Sequence, residues 1–309
     1  MVKIDLITGF LGSGKTTFIK KYAKYLIDQG ENIGILENDY GAVNVDMMLL
    51  KDLEGENCEL EMIAGGCDAD CHRRRFRTKL IAMGMCGYDR VIVEPSGIYD
   101  VDEFFDVLRD DPIDRWYEIG NVITVVDAKL ESDLSDEADY LLASGAANAG
   151  CIVLSRSQEA SEKEIENTVS HLNAAMEKVQ CKRRFKDEIV VKDWTAFDEA
   201  DYETFLSCGY VPENYRKMHI EEGETFKSLY FMNLDKTTDE IIEAAKHILE
   251  DKECGRVFRV KGFLKDEAGE WLELNATHQE MRICPIPEGQ EVVIVIGEEL
   301  NEERIQQYF

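Results

Sequence analysis

The chain has 309 residues, 44% of them hydrophobic, with 35 Lys plus Arg against 63 Asp plus Glu and a formal charge of −28. That apolar content supplies a core and excludes a disordered chain, and the length suggests two domains at ~150 residues each. So acidic a surface disfavours nucleic acid and anionic membrane as partners, and no apolar run reaches the roughly 18 residues of a membrane helix.

Val2 to Thr8 is an apolar, strand-like run and Lys15 to about Gln29 reads as a helix. Between them stands Gly9-Phe10-Leu11-Gly12-Ser13-Gly14-Lys15-Thr16. This is the phosphate-loop pattern G-x-x-x-x-G-K-[ST] in the context that gives it meaning: strand, glycine loop, helix start. The glycines let backbone N–H groups turn towards phosphate oxygens, and the helix N-terminus favours an anion. Gly9, Gly12, Ser13, Gly14, Lys15, Thr16 and Thr17 are the expected nucleotide-binding residues. Lys15 is expected at the β- and γ-phosphates and the Thr16 hydroxyl on Mg²⁺. A nucleoside triphosphate is the expected ligand.

Further along, residues 32–37 (NIGILE) form a second buried strand, followed by the turn-rich Asn38-Asp39-Tyr40-Gly41. A short strand from Glu59 to Ile63 leads into Gly66-Cys67-Asp68-Ala69-Asp70-Cys71-His72, and a basic segment, Arg73 to Lys79, starts a helix. Arg90 to Val93 is a strand ending in Glu94-Pro95-Ser96-Gly97. Asn121 to Val126 is another, ending at Asp127, and Cys151 to Leu154 a third, followed by Ser155-Arg156-Ser157-Gln158 and a long helix from about Ser161 to Val179. Short apolar runs without alternation, separated by helical segments, predict an α/β fold with a mostly parallel sheet. Ligands then sit beyond the carboxyl ends of the strands, where each of these motifs falls.

Residues 193–224 carry weak periodicity with Pro212 and Gly223 as breakers, and read as a linker. Beyond it a strand (Phe226 to Met232), a helix (Thr238 to Glu250), strands near 257–264, 270–274 and 291–296, and a final helix from about Asn301 predict a small α+β domain. The domains are therefore set at residues 1–215 and 224–309. Nine cysteines, an odd number dispersed through an α/β pattern, fit reduced thiols and a cytoplasmic location, and a strand opening at Val2 leaves no room for a signal peptide.

Together these segments resemble the CobW-like GTPases, metallochaperone relatives of the hydrogenase- and urease-maturation GTPases. The likeness rests on ITGFLGSGKTT from Ile7 to Thr17, on Asn38-Asp39-Tyr40-Gly41, on Glu94-Pro95-Ser96-Gly97 and on VITVVDA from Val122 to Ala128. Gly255 to Phe263, Trp271 and Val292 to Gly297 are similar to that family's C-terminal domain. The resemblance implies a P-loop NTPase of low turnover, with Lys15, Thr16 and Glu94 as its catalytic residues and Gly97 sensing the γ-phosphate. The switch segments would be Asn38–Asp46 and Glu94–Gly97.

Two departures stand out. The family's G-C-x-C-C cluster is replaced by Cys67 and Cys71 with His72 beside them. If this turn is helical the two thiols share a face, and His72, Asp68 or Asp39 could complete a shell suited to Zn²⁺ or Co²⁺. A polar loop with two unligated thiols, or a reversible Cys67–Cys71 disulfide, are the alternatives, and Cys58 is near enough in sequence to join. The family's base-recognition N-K-x-D is here Ser155-Arg156-Ser157-Gln158, so Gln158 stands where an Asp reads guanine. GTP is implied by the family, with ATP or mixed use as the alternative. The expected partner is a client metalloprotein or corrinoid-related protein. A nucleotide-gated interaction switch without metal cargo, docking through Arg73–Arg77, is the second reading; the oligomeric state is left open.

Overall fold

The computed structural model describes residues 1–39, 46–64, 69–97, 101–186, 188–218, 226–266, 268–287 and 289–309, with the side chains of Asp39, Asp46, Ala64, Ala69 and Asp70 outside that description. The chain divides into two compact units, Met1–Tyr40 with Leu50–His219, and Gly41–Leu49 with Ile220–Phe309.

The first unit carries β1 (Val2–Thr8), α1 (Lys15–Asp28), β2 (Ile33–Asp39), β3 (Cys58–Ala64), α3 (Ala69–Gly84), β4 (Arg90–Pro95), α4 (Asp102–Leu108) and β5 (Tyr117–Asp127). It continues through α5 (Asp136–Ala147), β6 (Cys151–Ser155), α6 (Glu162–Lys178), β7 (Ile189–Val190) and α7 (Glu199–Ser207), while the short α2 (Asp46–Leu50) falls, but for Leu50, in the segment assigned to the second unit. Seven strands lie in the order β3-β2-β4-β1-β5-β6-β7 with every neighbouring pair parallel, flanked by helices. All six residues of β4 and all five of β6 are buried, which is why these strands read as unbroken apolar runs. A common strand direction puts the loops after Thr8, Asp39, Pro95, Asp127 and Ser155 at one edge of the sheet.

Between β1 and β5 the register slips: Ile4 pairs with Ile119 but Leu6 with Val122. Asp5 fills that gap, its Oδ1 accepting from the Asn121 backbone N–H at 2.7 Å. A Cβ on Gly120 would come within 2.3 Å of that carboxylate oxygen, so the bulge needs glycine there.

The stretch expected as a linker holds a 3₁₀ turn at Trp194–Ala196 and helix α7, capped reciprocally by Asp198 and Asp201. Phe205 packs edge-on against Phe18 of α1 at 5.2 Å, and Tyr202 stacks on Tyr25 at 4.3 Å. Aromatic packing on α1 folds a segment whose periodicity is too irregular to announce a helix.

The second unit carries β8 (Phe226–Met232), α8 (Thr238–Glu250), β9 (Arg256–Lys265), β10 (Trp271–Ala276), β11 (Met281–Ile286), β12 (Val292–Glu298) and α9 (Glu302–Gln306). Its antiparallel sheet runs β11-β10-β9-β12-β8. Ile241, Ala245 and Ile248 of α8 form one core with Val260, Leu274 and Val293 of the sheet. Strand β11 was not expected: it is a largely exposed edge carrying Pro285, and lacks the apolar alternation that marks a half-buried strand. Among the described residues, no helix is long and apolar enough to cross a membrane.

Candidate functional site

The phosphate loop is shaped where side chains cannot go. Gly12 and Gly14 have φ of 72° and 96°, and Gly14 caps α1. A Cβ on Gly9 would lie 2.2 Å from the Val125 carbonyl oxygen. Lys15 takes the first helical position and is 9% exposed, Ser13 is buried, and Thr17 faces solvent.

On β4, three strands on in sequence but next to β1 in the sheet, Glu94 meets this loop. Thr16 Oγ1 donates to Glu94 Oε1 at 2.9 Å. Gly97, just beyond β4, lies so close that a Cβ there would sit 2.7 Å from the Leu11 nitrogen. Asn38 on β2 is 1% exposed, and its carbonyl accepts from the Ser96 N–H at 2.8 Å. Thus Lys15, Thr16, Glu94 and Gly97 come together. Ser13 Oγ, both amide atoms of Asn38, Ser155 Oγ and Ser157 Oγ are buried without a hydrogen-bond partner among the described residues. Orphaned polar atoms gathered at the ends of β1, β2 and β6 mark a polar ligand's place. The Thr16 hydroxyl and Glu94 carboxylate are hard oxygen donors, a set that fits Mg²⁺.

On the other side, Ser155 ends β6 and Arg156 adopts a left-handed conformation with φ 54°, its guanidinium ion-paired to Asp127 at the end of β5. The turn closes with the Glu159 N–H on the Arg156 carbonyl at 2.9 Å, leaving Gln158 exposed. Trp194 was missed in the sequence. Its indole N–H donates to the Leu154 carbonyl at 2.9 Å, and its ring lies 3.4 Å from where a Gly14 Cβ would be. A lone Trp in an aperiodic stretch gave no signal; the capping pattern at Asp198 and Asp201 behind it was the readable one.

The proposed metal loop is described only in part. Cys67, Asp68 and the Asp39 side chain lie outside the described residues. Cys71 and His72 occupy successive positions on α3, which sends their side chains about 100° apart. Cys71 is half-buried beside Arg74, Arg75 and Thr78 in a groove against Met62 and Ile63 of β3. His72 is 1% exposed, and burial together with the Arg75 charge pushes its pKa down to about 4, so it is neutral. Cys58 opens β3, and seven residues at ~3.3 Å each set it about 20 Å from Ala64 at the other end of that strand. Among the described residues no His/Cys/Asp/Glu group could hold a metal, and every cysteine is a free thiol.

A parallel sheet with a glycine loop feeding a helix, a helix-start Lys-Thr pair and an acid at the end of a nearby strand define a phosphate-loop nucleotide-binding protein. The chain belongs to the CobW/HypB/UreG family, whose nucleotide-binding domain matches residues 3–186. Zinc chaperone YeiR of Escherichia coli is 30% identical over 158 residues, covering 51% of this chain and 47% of the relative. Zinc chaperone YjiA of the same species is 26% identical over 184 residues, covering 56% and 55%. The chain thus spans about half the length of these curated relatives. The crystal structure of Zn(II)-bound YjiA GTPase from E. coli aligns over 100% of this chain and 98% of that one, at 17% identity and a TM-score of 0.37.

Proposed function

We propose that this chain binds GTP with Mg²⁺, hydrolyses it at low turnover, and couples that cycle to handing Zn²⁺ or Co²⁺ to a client metalloprotein or corrinoid pathway. The observation that carries the nucleotide half is the 2.9 Å hydrogen bond from Thr16 to Glu94, which ties the phosphate loop to the strand leading into Gly97. The metal half is supported by family membership and by relatives named as zinc chaperones.

Each residue then has a role. Lys15 offsets charge on the β- and γ-phosphates, and backbone N–H groups of the glycine loop cradle their oxygens. A hydroxyl donating to Glu94 still offers lone pairs, so Thr16 can be ion ligand and hydrogen-bond donor at once. Mg²⁺, when bound, supplies neutralisation of the triphosphate charge. Gly97 lies against Leu11, so a γ-phosphate gained or lost at the loop is felt in the Glu94–Gly97 segment. Cys67 and Cys71 are the thiols assigned to cargo, with Asp39 of the other switch segment as a further candidate ligand. His72 would have to leave its buried position to join them.

The test is a competitive titration of reduced protein with Zn²⁺ and Co²⁺, with and without a non-hydrolysable GTP analogue, beside a Cys67→Ser/Cys71→Ser variant. Stoichiometric binding that shifts with nucleotide and disappears in the variant is expected. Binding unchanged by the double substitution would refute cargo at this loop and select the nucleotide-gated interaction switch docking through Arg73–Arg77.

A further inference from the structure

The proposed nucleotide site has an unusual base-reading edge. The turn after β6 is joined to the phosphate loop on two sides. Ser155 Cβ lies 3.5 Å from the Gly14 Cβ position, and Trp194 bridges Gly14 to the Leu154 carbonyl. A nucleotide whose phosphates rest in the glycine loop therefore has the turn that begins at Ser155 beside it. Three polar side chains are candidates there. The Asp127 carboxylate is engaged by Arg156 and by the Lys129 backbone N–H at 2.9 Å. Ser157 is buried. Gln158 is exposed, and its Nε2 leans on Glu159 Oε1 at 3.5 Å, too long to fix the amide.

We infer that Gln158 reads the base through one donor and one acceptor, and that the site therefore takes purine nucleoside triphosphates without recognising the guanine 2-amino group. This deepens the GTP reading above and rests on it. A carboxylate in this place would accept from both guanine N1–H and the 2-amino group. A carboxamide accepts only once: its Oε1 takes guanine N1–H while its Nε2–H donates to O6. Hypoxanthine presents the same O6 and N1–H, so inosine triphosphate satisfies Gln158 as well as GTP does. Turned over, the same amide accepts from adenine N6–H and donates to adenine N1, which a carboxylate would repel. Asp127 does not supply the missing negative charge, because the Arg156 guanidinium already holds it.

The experiment is displacement of a ribose-labelled fluorescent GDP by GTP, inosine triphosphate and ATP, on the full chain with Mg²⁺, beside Lys15→Ala and Gln158→Asp. The wild type is expected to bind GTP and inosine triphosphate within about threefold of each other, with ATP within about tenfold, one charge-assisted bond being the margin that has been given up. Gln158→Asp is expected to raise the preference for GTP over inosine triphosphate to about tenfold or more and to weaken ATP. A wild type that already favours GTP over inosine triphosphate by more than about tenfold overturns the inference, because another group then reads the 2-amino position. A Gln158→Asp variant with unchanged ratios overturns it too, placing Gln158 away from the base. Those failures differ from failure of the nucleotide reading itself, which shows as no displacement by any of the three, or displacement equally strong in Lys15→Ala.

Discussion

Replacing Asp5 with alanine should strongly destabilise the first unit. The carboxylate is fully buried and collects four donors: Tyr22 Oη at 2.7 Å, Arg90 Nη1 at 2.6 Å, the Asn121 N–H at 2.7 Å and Asn121 Nδ2 at 3.2 Å. Removing it leaves the 3%-exposed Arg90 with Glu31 at 3.1 Å as its remaining carboxylate, and leaves the Asn121 N–H at a bulge where no strand partner replaces it. Breaking a buried pair from one side costs about 3–5 kcal/mol, and the Glu31 contact places the loss near the lower end, about 3 kcal/mol. For a unit of this size that is on the order of 10 °C in Tm. Urea unfolding followed through Trp194 and Trp116, both in the first unit, reads it, while Trp271 reports on the second. The double variant Asp5→Ala/Arg90→Leu should recover part of the loss, because it removes the stranded charge. A loss below about 1 kcal/mol for Asp5→Ala would show that water reaches this network and that its burial has been misjudged.

Three further outcomes test the site and the second unit. Glu94→Gln keeps the volume but removes the charge facing Thr16, and should weaken apparent Mg²⁺ affinity in nucleotide turnover by about 10–100-fold; an unchanged Mg²⁺ dependence would remove Glu94 from the ion's surroundings. Gly97→Ala drives a methyl against the Leu11 backbone at 2.7 Å and should weaken a GTP analogue by about tenfold while sparing GDP, measured calorimetrically; equal losses for both nucleotides would deny this loop its γ-phosphate role. In the second unit, hydrogen bonds from Tyr308, from the Glu253 N–H and from Arg304 hold Asp251 down at about 2. A folded-state pKa below the unfolded one gives stability that is present above the unfolded value of about 3.9 and lost as pH falls towards 2. Asp251→Asn should flatten that acid limb in the Trp271 transition, and an unaltered acid limb would refute the clamp.

The fold was legible wherever burial is complete. Strands such as β4 and β6 are buried throughout and β1 over its last five residues, so their mainly apolar runs carry no alternation and their limits fall within a residue or two of the observed ones. Legibility failed where tertiary contacts supply the order. Helix α7 is held by Phe205 and Tyr202 on α1, and residues whose partners lie some 180 positions earlier leave no local period. Strand β11 is the opposite failure: a weak, Pro-bearing edge that forms because β10 offers it a complete ladder.

The site divides along the same line. Gly9, Gly12 and Gly14 are backbone requirements, and a backbone requirement is written in the sequence as a residue that nothing else can replace. The phosphate-binding function was readable for that reason. Selectivity is not a backbone property. It depends on which carboxylates remain available after the protein has satisfied its own charges, and that is a question of neighbours. Arg156 follows β6 and Asp127 ends β5, and only their pairing shows that the acid beside this turn is already taken. On the inference drawn above, Gln158 is left to meet the base edge, and an amide asks for a donor and an acceptor where a carboxylate asks for two donors. The same sheet edge that makes the loop recognisable thus carries, in one ion pair, the feature on which the proposed purine choice rests.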